Sequence, residues 1–130
     1  MKIKIEHVAI WVRNLELMKD FYVTTFHGKA GELYHNPTKQ FRSYFIAFGD
    51  GCRLELMHRP AISDKNHDDS CSIGITHLAF SVGSKESVDL LTGKLRQKGH
   101  AIASEPRTAG DGYYESVILD PEGNSIELTE

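Results

Sequence analysis

Two histidines and two glutamates recur at matched places in this sequence, and their side chains are of the kinds that hold a divalent cation. His7 opens the run His7-Val-Ala-Ile-Trp-Val12, and His77 opens His77-Leu-Ala-Phe-Ser-Val82, 70 residues further on. Glu55 sits between Leu54 and Leu56, and Glu127 between Ile126 and Leu128, 72 residues apart. Neutral imidazole and carboxylate are the borderline and hard donors that suit zinc, nickel, cobalt, manganese or iron, and four such ligands can leave positions for water or substrate. A cation held there polarises a carbonyl, enediol or alkoxide oxygen, or acidifies bound water. A ligating carboxylate that detaches can also carry a proton beside the polarised group. One histidine on a strand, or one glutamate between leucines, is an ordinary surface feature. The recurrence of all four at equivalent places sets these residues apart from His27, His35, His58, His67 and His100, which read as structural or surface histidines.

Elements of the same kind and order must position them in each half. Residues 3 to 12 are rich in β-formers and lead to Asn14, a good helix N-cap, after which Leu15, Met18, Phe21, Tyr22 and Thr25 recur at helical spacing until Gly28. Short β-prone runs follow near 30 to 35, 42 to 48 and 52 to 58, the last two joined by the Gly49-Asp50-Gly51 turn. The second half predicts a strand over 73 to 82, the cap Ser84, a helix with Val88, Leu91 and Leu95 on one face and Gly99 as its stop, then strands near 101 to 105, 113 to 119 and 125 to 129. The order βαβββ therefore occurs twice, in modules of approximately 1–58 and 73–130 joined by a polar connector, 59–72, within one domain, 1–130.

Strand alternation decides which side chains share a face. Val8, Ile10 and Val12 form the face that packs on the helix, so His7 points the other way with Ile3, Ile5, Ala9 and Trp11. His77 is in the same phase as Ile73, Ile75 and Ala79. Glu55 and Glu127 alternate away from their apolar neighbours in the same sense. If the two modules curl their sheets around a shared cavity, the four donors meet on its floor. Trp11 is then the best candidate for a pocket wall; Phe45 and Tyr114 are further aromatic candidates, and Arg42 and Arg107 are cations able to meet an anionic substrate.

The segments His7-Val-Ala-Ile10, Leu54-Glu-Leu56, Thr76-His-Leu-Ala-Phe80 and Asp120-Pro-Glu-Gly-Asn-Ser-Ile-Glu-Leu128 resemble the four signature segments of the vicinal-oxygen-chelate superfamily, and Gly110-Asp-Gly-Tyr-Tyr-Glu-Ser116 also reads like these proteins. The resemblance covers nearly the whole chain. It implies an α+β fold of two βαβββ modules forming a U-shaped mixed sheet around a central cavity, with helices on the outer face. It implies His7, Glu55, His77 and Glu127 as ligands of one divalent ion, and a homodimer. Glyoxalase I holds its metal with a set of four, whereas extradiol dioxygenases and fosfomycin-modifying thiol transferases typically use two histidines and one glutamate. Glu55 thus points to a lyase or isomerase working through a metal-bound enediolate, with Glu127 as base and Glu55 as the second catalytic carboxylate. The run His7-Val-Ala-Ile-Trp11 lacks the basic residue that commonly helps hold glutathione there. Bleomycin-resistance proteins share the fold and sequester a drug without a catalytic metal, but usually lack the full ligand set.

Composition removes other classes of function. At 130 residues, 40% hydrophobic and 25% charged, the chain is large enough to bury a core. Its net charge of -3 gives no footprint for nucleic acid. The first residues alternate charged with apolar, unlike a signal peptide, and no run reaches membrane-spanning length, which predicts a cytoplasmic protein acting on a small molecule. Cys52 and Cys71 form no CxxC pair and read as reduced thiols. The Asp120–Asn124 turn is too short for a calcium loop.

Overall fold

The computed structural model describes residues 1–64 and 73–130; His67 and Cys71 lie outside them. Two compact units divide the chain, Met1–Lys65 and Asn66–Glu130, and the division falls inside the connector 59–72. Each contains one helix and one mixed sheet, so the fold is α+β. Among the described residues no helix is long and apolar enough to cross a membrane.

The first unit runs β1 (His7–Trp11), α1 (Leu15–Phe26), β2 (Lys29–Ala30), β3 (Tyr34–Asn36), β4 (Phe41–Ala47) and β5 (Arg53–His58). Its sheet has the order β1-β5-β4-β2, with β3 also paired to β4. Strand β1 is parallel to β5 and the remaining pairs are antiparallel. Helix α1 begins where the Asn14 side chain accepts a hydrogen bond from Leu17 N at 3.0 Å. Leu15, Met18, Phe21, Tyr22 and Thr25 are the residues it buries, and each apolar side chain fully buried in this way contributes roughly 1.5–3 kcal/mol. They pack with Val12, Ile46, Leu54 and Leu56 in the core.

The helix ends differently from the expectation at Gly28. His27 takes the left-handed C-cap conformation, with φ 56°. Gly28 is needed instead for close packing, because a Cβ there would lie 2.5 Å from Ile46 Cγ2 and 2.7 Å from Phe48 Cε1. The β-prone run 30 to 35 also divides in two. Ala30 pairs with Ile46 and Tyr34 with Ser43, which leaves one more residue on this side than on β4, and Gly31 N donates to Phe45 O at 2.9 Å.

The second unit runs β6 (His77–Ser81), α2 (Lys85–Gln97), β7 (Ile102–Thr108), β8 (Tyr114–Leu119) and β9 (Ser125–Thr129), in the sheet order β6-β9-β8-β7. Ser84 caps α2 by accepting from Ser87 N. Gly99, at φ 87°, closes the helix: its N–H reaches Arg96 O, and His100 N–H reaches Leu95 O. Val88 and Leu95 are buried, as the spacing predicts. Between them Thr92 is fully buried in place of the partly exposed Leu91. Its hydroxyl spends its bonding capacity on Val88 O at 2.6 Å and Ser116 Oγ at 2.7 Å, which is what lets a polar residue sit in the core. Strand β7 extends past 105 because it is an edge strand, where Pro106 has no ladder bond to donate.

Both leading strands are shorter than the runs 3 to 12 and 73 to 82. Residues 1–6 and 73–76 lie outside them, and Ile3, Ile5, Ile73 and Ile75 are exposed.

Candidate metal centre

In each unit a histidine at the start of an edge strand faces a glutamate on the parallel neighbouring strand. His7 pairs in register with Arg53 and Ala9 with Glu55; likewise His77 pairs with Ser125 and Ala79 with Glu127. The pleat therefore puts histidine and glutamate on one face, displaced by two residues, in both sheets. His7 Nε2 lies 3.8 Å from Glu55 Oε1, and His77 Nε2 lies 3.5 Å from Glu127 Oε2. Burial matches too: the glutamate side chains are 14% and 20% exposed and the histidines 40% and 42%. The flanking Leu54, Leu56, Ile126 and Leu128 are buried on the opposite, helix-facing side. They hold the strand in the phase that turns each carboxylate outward.

The environment of His7 selects the nitrogen that faces Glu55. Its Nδ1–H donates to Glu6 Oε2 at 2.5 Å, which leaves the lone pair on Nε2. The hydrogen bond from His7, reinforced by Arg53 and opposed by burial, holds the Glu6 carboxyl below its ordinary value. Arg53 Nε donates to Glu6 Oε1 at 2.6 Å, and its guanidinium lies over Phe45 with Cζ 4.2 Å from the ring centre. Phe45 meets the His7 ring edge-on at 5.2 Å. Sequence reasoning passed over Glu6 and Arg53, although alternation alone puts Arg53 on the face of Glu55.

The second unit is built differently around its glutamate. Glu115, on β8, is buried and lies on the same face as Glu127 of the adjacent strand, near enough to feel its charge. Burial first, and then the charge of Glu127, push the Glu115 carboxyl above its ordinary value, while Arg107 Nη1, 3.5 Å away, pulls the other way. The position in register with Glu115 in the first unit belongs to Ser43, since Ser43 pairs with Met57 as Glu115 pairs with Thr129. Glu115 was the residue hardest to single out from sequence, because nothing in the first unit repeats it.

The pocket candidates divide between the two sides of the sheets. Trp11 and Phe45 share the face of His7 and Glu55, Trp11 meeting Phe41 edge-on at 6.1 Å. Arg42 alternates with Tyr44 and Ile46 onto the helix side, where Tyr44 OH donates to Glu16 of α1 at 2.7 Å and the Arg42 charge acts on the same carboxylate. Tyr114 also turns to its helix, donating to Asp89 of α2 at 2.7 Å. An open cleft of about 670 Å³ beside α1 and β2, lined by Lys19, Asp20, Leu33 and Tyr44 among others, contains none of the four candidate ligands.

Two ligands each about 2.0–2.2 Å from one ion lie about 3–3.5 Å apart at octahedral or tetrahedral angles; the His77–Glu127 pair, at 3.5 Å, is at that separation and the His7–Glu55 pair, at 3.8 Å, is slightly wider. Among the described residues no three His, Cys, Asp or Glu side chains gather at one point, so each unit presents two donors.

Comparison with known proteins agrees with this architecture. Residues 4–128 match the model of the Glyoxalase/Bleomycin resistance protein/Dioxygenase superfamily. The chain is 39% identical over 127 residues, 94% of each protein, to the uncharacterized protein YqjT of Bacillus subtilis (strain 168). Among solved structures it is similar to a glyoxalase family protein of Enterococcus faecalis, with a TM-score of 0.81 and 26% identity over 98% of this chain and 97% of that one. It shares its fold with the trypanothione-dependent glyoxalase I of Leishmania major, at a TM-score of 0.79 and 22% identity over 99% of this chain and 87% of the other. On its sequence, its duplicated βαβββ order and these matches, the chain belongs to the glyoxalase/bleomycin resistance protein/dioxygenase superfamily.

Proposed function

We propose that this protein is a metal-dependent lyase or isomerase of the glyoxalase type, in which His7, Glu55, His77 and Glu127 together hold one divalent cation. The observation that carries this reading is the repetition of one His–Glu contact, 3.8 Å and 3.5 Å, at the same register of two separate sheets. Nickel, zinc, cobalt, manganese and iron all suit two imidazoles and two carboxylates.

When bound, the ion supplies Lewis acidity to a carbonyl or hydroxyl oxygen of a small substrate. The chain's own residues do the rest. The Glu127 carboxylate takes the proton from the carbon beside that oxygen-bearing carbon and returns it to the oxygen-bearing carbon, while a hydroxyl proton passes between the two oxygens. Glu115, on the same face of the adjacent strand, places a further carboxyl group beside Glu127, and Glu55 is the second carboxylate at the reacting atoms. Phe45 packs edge-on against His7 and supports that imidazole on one side. The protein works in this reading as a cytoplasmic homodimer, a state that sedimentation analysis checks.

Proton exchange tests the chemistry. The purified protein, incubated in heavy water with 2-oxoaldehydes in the presence and absence of a thiol, is expected to exchange the proton next to the carbonyl, as followed by NMR. Chelation should abolish exchange, nickel, cobalt or zinc should restore it, and Glu127→Gln should remove it without removing the fold. Exchange that continues unchanged after chelation would contradict the proposal.

A further inference from the structure

We propose that Trp11 and Arg59 form a second recognition point on the ligand-bearing face of the first sheet, which takes a planar group carrying a carboxylate. In a substrate whose oxygen-bearing head lies at His7 and Glu55, that group is the tail; this last step rests on the metal-dependent reading above.

The residues concerned follow one alternation. His7, Ala9 and Trp11 share a face of β1, and Phe41, Ser43 and Phe45 share the same face of β4. At the His7 end the cation is already satisfied, because Arg53 lies over Phe45 and is bound to Glu6. At the Trp11 end the described residues supply no such carboxylate. Arg59 lies over the indole with Cζ 4.6 Å from the ring centre, and among the described residues no carboxylate pairs with it. Stacking holds the guanidinium in place while leaving its N–H edge for an acceptor, and a planar fork of donors matches a carboxylate.

The aromatic surface at this end points to the same kind of ligand independently of the charge. Trp11 is 43% exposed and Tyr34 53%, and Phe41 links them through edge contacts of 6.1 Å and 6.0 Å. Exposed, contiguous aromatic surface beside an arginine that has no carboxylate partner among the described residues favours a flat ligand with a negative edge over an aliphatic or cationic one. The five strand residues from His7 to Trp11 span about 13 Å. A ligand reaching both ends is therefore elongated, with its acid distant from the reacting carbon.

Trp11 is the single tryptophan of the chain, so its fluorescence reports on this point directly. The full-length protein, as purified and again after chelation, would be titrated with benzoate, benzamide and acetate. Benzoate is expected to change the emission saturably and with the same affinity in both preparations, and benzamide and acetate to bind at least about tenfold more weakly. Arg59→Gln should cost benzoate about tenfold in affinity with unchanged circular dichroism. Equal binding of benzoate and benzamide, no saturable change, or indifference to Arg59→Gln would overturn the proposal. So would a Trp11→Ala variant that sediments as a smaller species while benzoate leaves the wild-type assembly and emission unchanged, since the patch would then be a contact between copies of the chain. Because the titration works without metal, its failure leaves the four-ligand reading standing, and failure of that reading leaves this site standing.

Discussion

Glu115 and Glu127 share one face of the adjacent antiparallel strands β8 and β9, two residues out of register, and the charge of Glu127 acts on the Glu115 carboxyl. Burial and the neighbouring charge raise the Glu115 carboxyl above its ordinary value. A group that binds its proton more tightly folded than unfolded contributes stability that is fully present below its unfolded pKa and is lost as pH rises through the folded one. In the metal-free protein the Glu115 contribution is therefore expected to fall as pH rises out of the carboxylate range, and Glu115→Gln to remove it, so that the variant gains stability relative to wild type over that rise. Urea midpoints from acidic to neutral pH check this; parallel slopes for the two proteins would contradict it.

The Glu6 carboxylate is expected to matter for metal affinity although it is no ligand. By accepting the Nδ1–H of His7 it fixes the tautomer that presents Nε2 toward Glu55. Loss of such an outer partner typically costs about 10–100-fold in affinity. Calorimetric titration of Glu6→Ala with zinc should show a loss in that range with the fold intact. Affinity equal to wild type would mean that the ring is oriented by something else.

Gly28→Ala is expected to destabilise the first unit by about 1–3 kcal/mol, the range for a group forced into filled space. The added Cβ would meet Ile46 and Phe48 at 2.5 Å and 2.7 Å. His27→Gly, at the left-handed position itself, should cost nothing. Thermal melts of the two variants decide between packing and backbone conformation as the reason for Gly28.

The contrast between those two residues shows what the sequence could and could not disclose. Helices, strand order, duplication and the phase of His7, Glu55, His77 and Glu127 were legible because they follow from periodicity and caps. Gly28 was read as a helix stop because a glycine after an apolar period is usually one; that His27 takes the turn depends on how closely β4 approaches. Thr92 escaped notice because its burial is made possible by Ser116, 24 residues away. Arg42 and Tyr114 were candidates for the pocket by type alone, and alternation carries both to the helix side. Ile3 and Ile75 fit a longer strand by pattern, yet the strands end where neighbouring chain to pair with ends.

The most direct test of the metal reading is elemental analysis of purified wild type beside His7→Ala and Glu127→Ala, one variant from each unit, after exposure to a mixture of nickel, zinc, iron and manganese. The account predicts about one ion per chain in the wild type, and its loss in both variants with their circular dichroism unchanged. A wild type without stoichiometric metal, or variants that retain it in full, would contradict the account.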